Sequence, residues 1–225
     1  MSNAKPARSQ GRTQLWRQRR PRYELQVAPS SLTKAGILER IGQLFQRPGL
    51  SQVALEQQEL LDLLDSPAAD EARIDELIDI LGNSKQPFTE ASIGGGPWQV
   101  VYTKGPLLWQ QLTSPGAGGK RVRQGGSQEF IPEGRRLVNF GSLLGGLASV
   151  SANGTYELQE DGEASPNLPK TIMAKVAGGS AKIGDLQIPL PIKGTGTVDL
   201  LYIDNSIRIF QNSQGSRVVQ RKASM

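Results

Sequence analysis

Cysteine and histidine are both absent from this sequence. Without cysteine there are no disulfides, no thiolate nucleophile and no thiolate zinc site. That accords with a reducing compartment, although secreted domains without cysteine also exist. Without histidine the chain lacks the commonest general base and the commonest transition-metal ligand. Aromatic residues are also scarce, at 5 % of the chain, so each tryptophan and tyrosine is informative. No pair of carboxylates stands at a spacing that suggests acid–base work. The expectation is a protein that is not an enzyme, with no catalytic residues, no metal and no cofactor.

Turn formers are abundant instead. Twenty-six glycines and 14 prolines in 225 residues favour many short strands over long helices. The formal net charge of +5 is unevenly placed. Residues 1–22 hold seven Lys or Arg and no acid, which leaves 19 basic and 21 acidic residues, a net of −2, for the rest. The basic character therefore belongs to a tail, and a nucleic-acid-binding body is not expected. Residues 1–30 read as a disordered basic tail. An Arg-rich, acid-free start resembles an organelle transit peptide, with a basic arm for an anionic surface or a plain solvated tail as alternatives.

Residues 31–82 read as helical. Ile37, Leu38, Ile41, Leu44 and Phe45 form one apolar stripe, and Pro48-Gly49 ends it. Ser51 starts a second helix through Leu55, Leu60, Leu61 and Leu64. Ser66-Pro67 predicts the cap and first residue of a third, which carries Ile74, Leu77, Ile78 and Leu81. Its acids, Asp70, Glu71, Asp75, Glu76 and Asp79, predict a solvated outer face rather than a metal cluster.

The rest of the chain is organised around the stretch from Gly96 to Thr103. Gly94, Gly95, Gly96 and Pro97 break the helical pattern, and Trp98, Val100 and Tyr102 then recur with period two. Short strands are predicted at 98–104, 128–131, 135–140, 155–159, 171–177, 182–188, 198–204, 207–210 and 217–221. Leu137 to Tyr156 is uncharged over twenty residues and contains Gly141-x-x-x-Gly145, which raises a membrane helix. Its asparagines, serines and glycines make it too polar, so strand, turn, strand is preferred, with Asn153-Gly154 as a turn signal. The loop at 114–126 lacks two positions of the phosphate-cradle pattern. Its Lys120, Arg121 and Arg123 are candidates for contact with anionic lipid headgroups, or a mobile basic loop.

The expected fold is mainly β with N-terminal α: an antiparallel barrel over residues 96–222 preceded by about three helices. A barrel of about eight strands can hold one small ligand. Candidate lumen residues are Trp98, Val100, Tyr102, Phe140, Tyr156, Leu200 and Tyr202. Trp98 is read as a plug at one end. Arg208 or Arg221 could lay a guanidinium on that ring, with a solvent-facing arginine as the alternative for each.

Two stretches carry a family resemblance. They are Trp98-Gln-Val-Val-Tyr102-Thr103 and Val198-Asp199-x-x-Tyr202-Ile203-Asp204-x-x-Ile207-Arg208-Ile209, with Val138-Asn139 between them and Gly215 after. Together they resemble the plastid lipid-associated protein, or fibrillin, family, over about residues 32–222. The resemblance implies a lipocalin-like barrel that holds a prenyl lipid, fatty acid or pigment. It implies a plastid setting, at plastoglobule or thylakoid surfaces, or a cyanobacterial counterpart. A docking scaffold with a filled barrel, serving a protein partner, is the rival expectation.

Overall fold

The computed structural model describes residues 51–68, 70–105, 126–143, 147–159 and 165–223. The chain divides into two compact units at Ser30/Ser31, and all described residues lie in the second. The expected helix at 33–46, the apolar piece at 107–112 and most of the basic loop at 114–126 fall outside the described residues.

Two α-helices are present among the described residues. α1 spans Gln52–Asp65, and the Ser51 hydroxyl caps it by accepting from the Ala54 N–H. α2 spans Glu71–Gly82. Its cap is Asp70, whose carboxylate accepts from the Ala72 and Arg73 N–H groups. Ser66, read from sequence as the start of this helix, instead ends α1. The carboxylate satisfies two orphan donors and also favours the positive end of the helix dipole, so the start falls there. Ile74, Leu77, Ile78 and Leu81, at i, i+3, i+4 and i+7, are fully buried.

Among the described residues nine strands follow: β1 (Trp98–Lys104), β2 (Ser127–Ile131), β3 (Arg136–Leu143), β4 (Ala148–Leu158), β5 (Lys170–Ile183), β6 (Leu186–Leu190), β7 (Gly194–Ile203), β8 (Ile207–Asn212) and β9 (Arg217–Lys222). All pairings are antiparallel. Hydrogen bonding runs β1–β2–β3–β4–β5–β7–β8–β9 and returns to β1, so eight strands form a ring. The long β5 makes this possible. Its first half pairs with β7 and its second half with β6, while β4 runs along the other side of both.

Asn153-Gly154 does not turn the chain. It lies inside β4, where the register against β5 shifts by one residue. The expected strand at 182–188 is likewise two strands, with Gly184-Asp185 turning β5 into β6.

Three register shifts decide which face each side chain meets. In β1 the shift falls between Val100 and Tyr102, and in β7 between Leu200 and Tyr202. An extra residue in a strand reverses the in–out phase beyond it. Trp98 and Val100 therefore join one cluster with Phe130, Leu137, Tyr156, Leu200 and Phe210. Tyr102 and Tyr202 join the other, with Ile207, Ile209, Val219 and the apolar stripes of both helices. The helices thus cover one face of β1, β7, β8 and β9. The opposite, Trp98 face lines the ring.

The acids of α2 are not simply solvated. Asp75 pairs with Lys104 and, like Asp79, with Arg217 of β9. Arg221 reaches Asp65 of α1 at 3.0 Å. Arg73 is gripped by Glu59 at 2.7 Å and Glu76 at 2.8 Å. These half-exposed pairs contribute little each, and the buried leucines and isoleucines hold the helices to the sheet.

Candidate functional site

The Trp98 face is closed at one end by the side chains of its own strands. Arg208 of β8 is fully buried at its centre. Its guanidinium carbon lies 4.8 Å from the Trp98 ring centre, 5.0 Å from Phe130 and 5.2 Å from Phe210. Nε donates to the Gln220 side-chain oxygen at 2.6 Å, and Nη1 to the Ile93 carbonyl at 2.8 Å. Nη2 donates to the Gln128 carbonyl at 2.9 Å and, at 3.4 Å, to its side-chain oxygen. All three guanidinium nitrogens are therefore engaged, with no carboxylate among these partners. Burial pulls the guanidinium below its ordinary pKa. Every partner is an acceptor or an aromatic face, however, so the pocket is built for the protonated form.

The network continues sideways. Gln220 donates to Gln128 at 3.2 Å, and Gln128 donates to Asn139 at 2.9 Å. Four strands are thereby tied across the ring. Below them a short 3₁₀ turn, Glu90–Ile93, supplies the Ile93 carbonyl and closes the end. Gly94 touches Pro132 so closely that an added Cβ would sit 2.9 Å from its ring, and the Trp98 indole N–H donates to the Gly94 carbonyl at 3.3 Å.

A second polar group borders the same end. The Tyr156 hydroxyl donates to Glu90 at 3.0 Å, and Arg135 forks onto that carboxylate at 3.0 and 3.2 Å. Burial, then the Glu90 hydrogen bond, raises the Tyr156 phenol above its usual pKa. Burial and Asp204 do the same for Tyr202. Because both folded-state values lie above the unfolded one, their contribution is intact below about pH 10 and is lost as pH rises further. Urea unfolding at a series of pH values should show stability falling above about pH 10. A Tyr156→Phe, Tyr202→Phe double variant should show a shallower fall; an identical fall in both proteins would refute this assignment.

The other end of the ring is different in kind. Val198 and Ala174 continue the apolar face only partly covered. Tyr156 pairs with Ala174, which pairs with Gly196, so the three share this face. A Cβ added at Gly196 would meet nothing within 4 Å. The Thr103 hydroxyl, fully buried on the same face, has no hydrogen-bond partner among the described residues. Farther out, Val150, Ala181 and Ile188 share that face, as do Ala148, Ile183 and Leu186. Ile183, Leu186 and Ile188 are exposed there, forming an apolar lip.

Of the residues expected in a lumen, Trp98, Val100, Tyr156, Leu200 and Arg208 are brought together. Tyr102 and Tyr202 are not, because the register shifts turn them under the helices. Phe140 is not either: it alternates with Leu137 and Asn139 and is 46 % exposed on the outer side. Arg221 points to Asp65, and Lys222 instead lies 5.5 Å over Trp98. Lys120, Arg121 and Arg123 lie outside the described residues. Phe130, Phe210, Gln128 and Gln220 belong to the site and were not expected. Phe210 was within reach, since it shares the parity of Arg208 in β8.

No family model, curated protein or solved structure matches this chain.

Proposed function

We propose that this protein is a lipocalin-like, non-enzymatic binder of a hydrophobic molecule, of the plastid lipid-associated type, taking its ligand at the end of the ring away from Trp98. The observation that carries the reading is the contrast between the two ends. One is filled by Arg208 and its aromatic partners. The other is lined by Ala174, Gly196 and Ala181, is open over Gly196 and runs onto exposed Ile183, Leu186 and Ile188. Small residues on an otherwise apolar inner face leave room for apolar mass. Removing that mass from water contributes about 25 cal/mol per Å² before the loss of freedom on binding. The lip gives such a ligand a route from a plastoglobule or thylakoid surface, with the protein resting on that surface peripherally.

The fullness of the Arg208 end favours the second reading, a docking scaffold whose interior is filled throughout. Titration of the full chain with a neutral short-chain prenylquinone separates the two. Saturable binding is expected, and Gly196→Phe should weaken it at least about tenfold, or 1.4 kcal/mol, with an unchanged circular dichroism spectrum. No saturable binding by the folded wild-type protein would favour the scaffold.

A further inference from the structure

We propose that the closed end of the ring carries a separate site for an amphipathic monocarboxylate, centred on Lys170. This site does not depend on the ligand suggested above, because it lies at the opposite end. A cavity of about 360 Å³ opens here between Phe88, Glu90, Arg135, Leu158, Pro166 and Lys170. That volume is at the lower end of the range for small-molecule sites.

Its walls are built rather than loosely apposed. The Phe88 N–H donates to the Pro166 carbonyl at 2.8 Å, and the Leu168 N–H to the Gln86 carbonyl at 2.9 Å. A bridge between Pro87 and Asn167 lies between them. Leu168 is buried in the core on one side. Arg135 holds a left-handed backbone, at φ 46°, and its guanidinium bonds Glu90.

Among the described residues that line this cavity, two cations face one carboxylate. Glu90 is matched by Arg135 and further bonded by Tyr156. Among the described lining residues, Lys170 is the cation without a carboxylate. It is 2 % exposed, donates to the Ser165 carbonyl and lies 5.5 Å over the Phe88 ring. Among the described residues no carboxylate pairs with it. A buried ammonium is costly without an anion, and among the described residues its three donors meet one carbonyl. A carboxylate would complete that shell with charge-assisted bonds. Phe88, Leu158 and Pro166 would cover a short apolar chain or ring attached to it. Net charge and wall chemistry together select an amphipathic monoanion over a dication, a sugar or a neutral lipid.

The test uses the full-length protein, with sodium octanoate as probe and 1-octanol as its uncharged counterpart. Calorimetric titration should show saturable octanoate binding at least about tenfold tighter than octanol binding. Nuclear Overhauser contacts should connect the octanoate chain to the Phe88 ring. Lys170→Met should lose octanoate binding by at least about tenfold, while Gly196→Phe should leave it unchanged. Should Lys170→Met fail to fold, the octanoate–octanol comparison and the Phe88 contacts in the wild-type protein decide alone. Equal affinity for octanoate and octanol, or octanoate contacts elsewhere, would overturn the proposal. So would octanoate binding that appears only after Glu160, Asp161 and Glu163 are neutralised together, since Lys170 would then serve an internal carboxylate.

Discussion

Arg208→Met is expected to destabilise the fold by roughly 3–5 kcal/mol, read from the urea midpoint and slope. Two effects oppose each other. Removing the guanidinium relieves the cost of burying a cation, and replacing a buried charge by an apolar side chain of similar volume is often harmless. Against this, the Ile93 carbonyl and the Gln220 side-chain oxygen lose their donor in a buried place, and the Gln128 carbonyl in a partly buried one. Three orphaned acceptors at about 1–3 kcal/mol each exceed the relief, and three ring faces lose a desolvated cation as well. Methionine fills the space but supplies no donor. Arg208→Lys should recover only part of the loss, because a single ammonium cannot span β9, β2 and the 3₁₀ turn as the planar fork does. A variant as stable as the wild type would show that the buried charge is merely tolerated.

Gly154→Ala should cost at least about 3 kcal/mol, more than a methyl group usually does. The added Cβ would stand 2.0 Å from the Lys175 carbonyl oxygen and 2.8 Å from its carbon. Both are backbone atoms of the neighbouring strand, so no side chain can swing away. The strands must separate at the point where β5 takes its extra residue. That contact joins the β1–β4 half of the ring to the β5–β9 half. Hydrogen exchange should therefore show lost protection along β4 and the first half of β5, ahead of the helix face. Gly178→Ala is the matched control. It lies near the same shift, yet an added Cβ there meets nothing within 4 Å. It should change stability by less than about 1 kcal/mol in either direction. Equal effects of the two substitutions would show that chain entropy, not the strand contact, governs this position.

These two glycines also show how far local sequence rules reach. Asn153-Gly154 has the composition of a hairpin turn, and a two-residue window reads it so. The chain turns elsewhere, because Gly154 is needed where two strands approach too closely for any side chain. Nothing in its immediate neighbours announces Lys175, which is twenty-one positions away.

The sequence alone determined the element types and much of their extent. The four-residue stripe of α2, the strand from Trp98 to Lys104 and the return through Ile207 to Phe210 all follow from periodicity, because burying one face requires it. The absence of cysteine and histidine by itself narrows the chemistry open to the chain. Tertiary structure decided which face was which. One extra residue in β1 and one in β7 reverse the alternation, and only the pairing partner reveals the shift. It also chose the surroundings of Arg208, whose acceptors lie 12, 80 and 115 positions away. Such contacts leave no local periodic trace, since they arise from closure of the sheet rather than from the preferences of neighbouring residues.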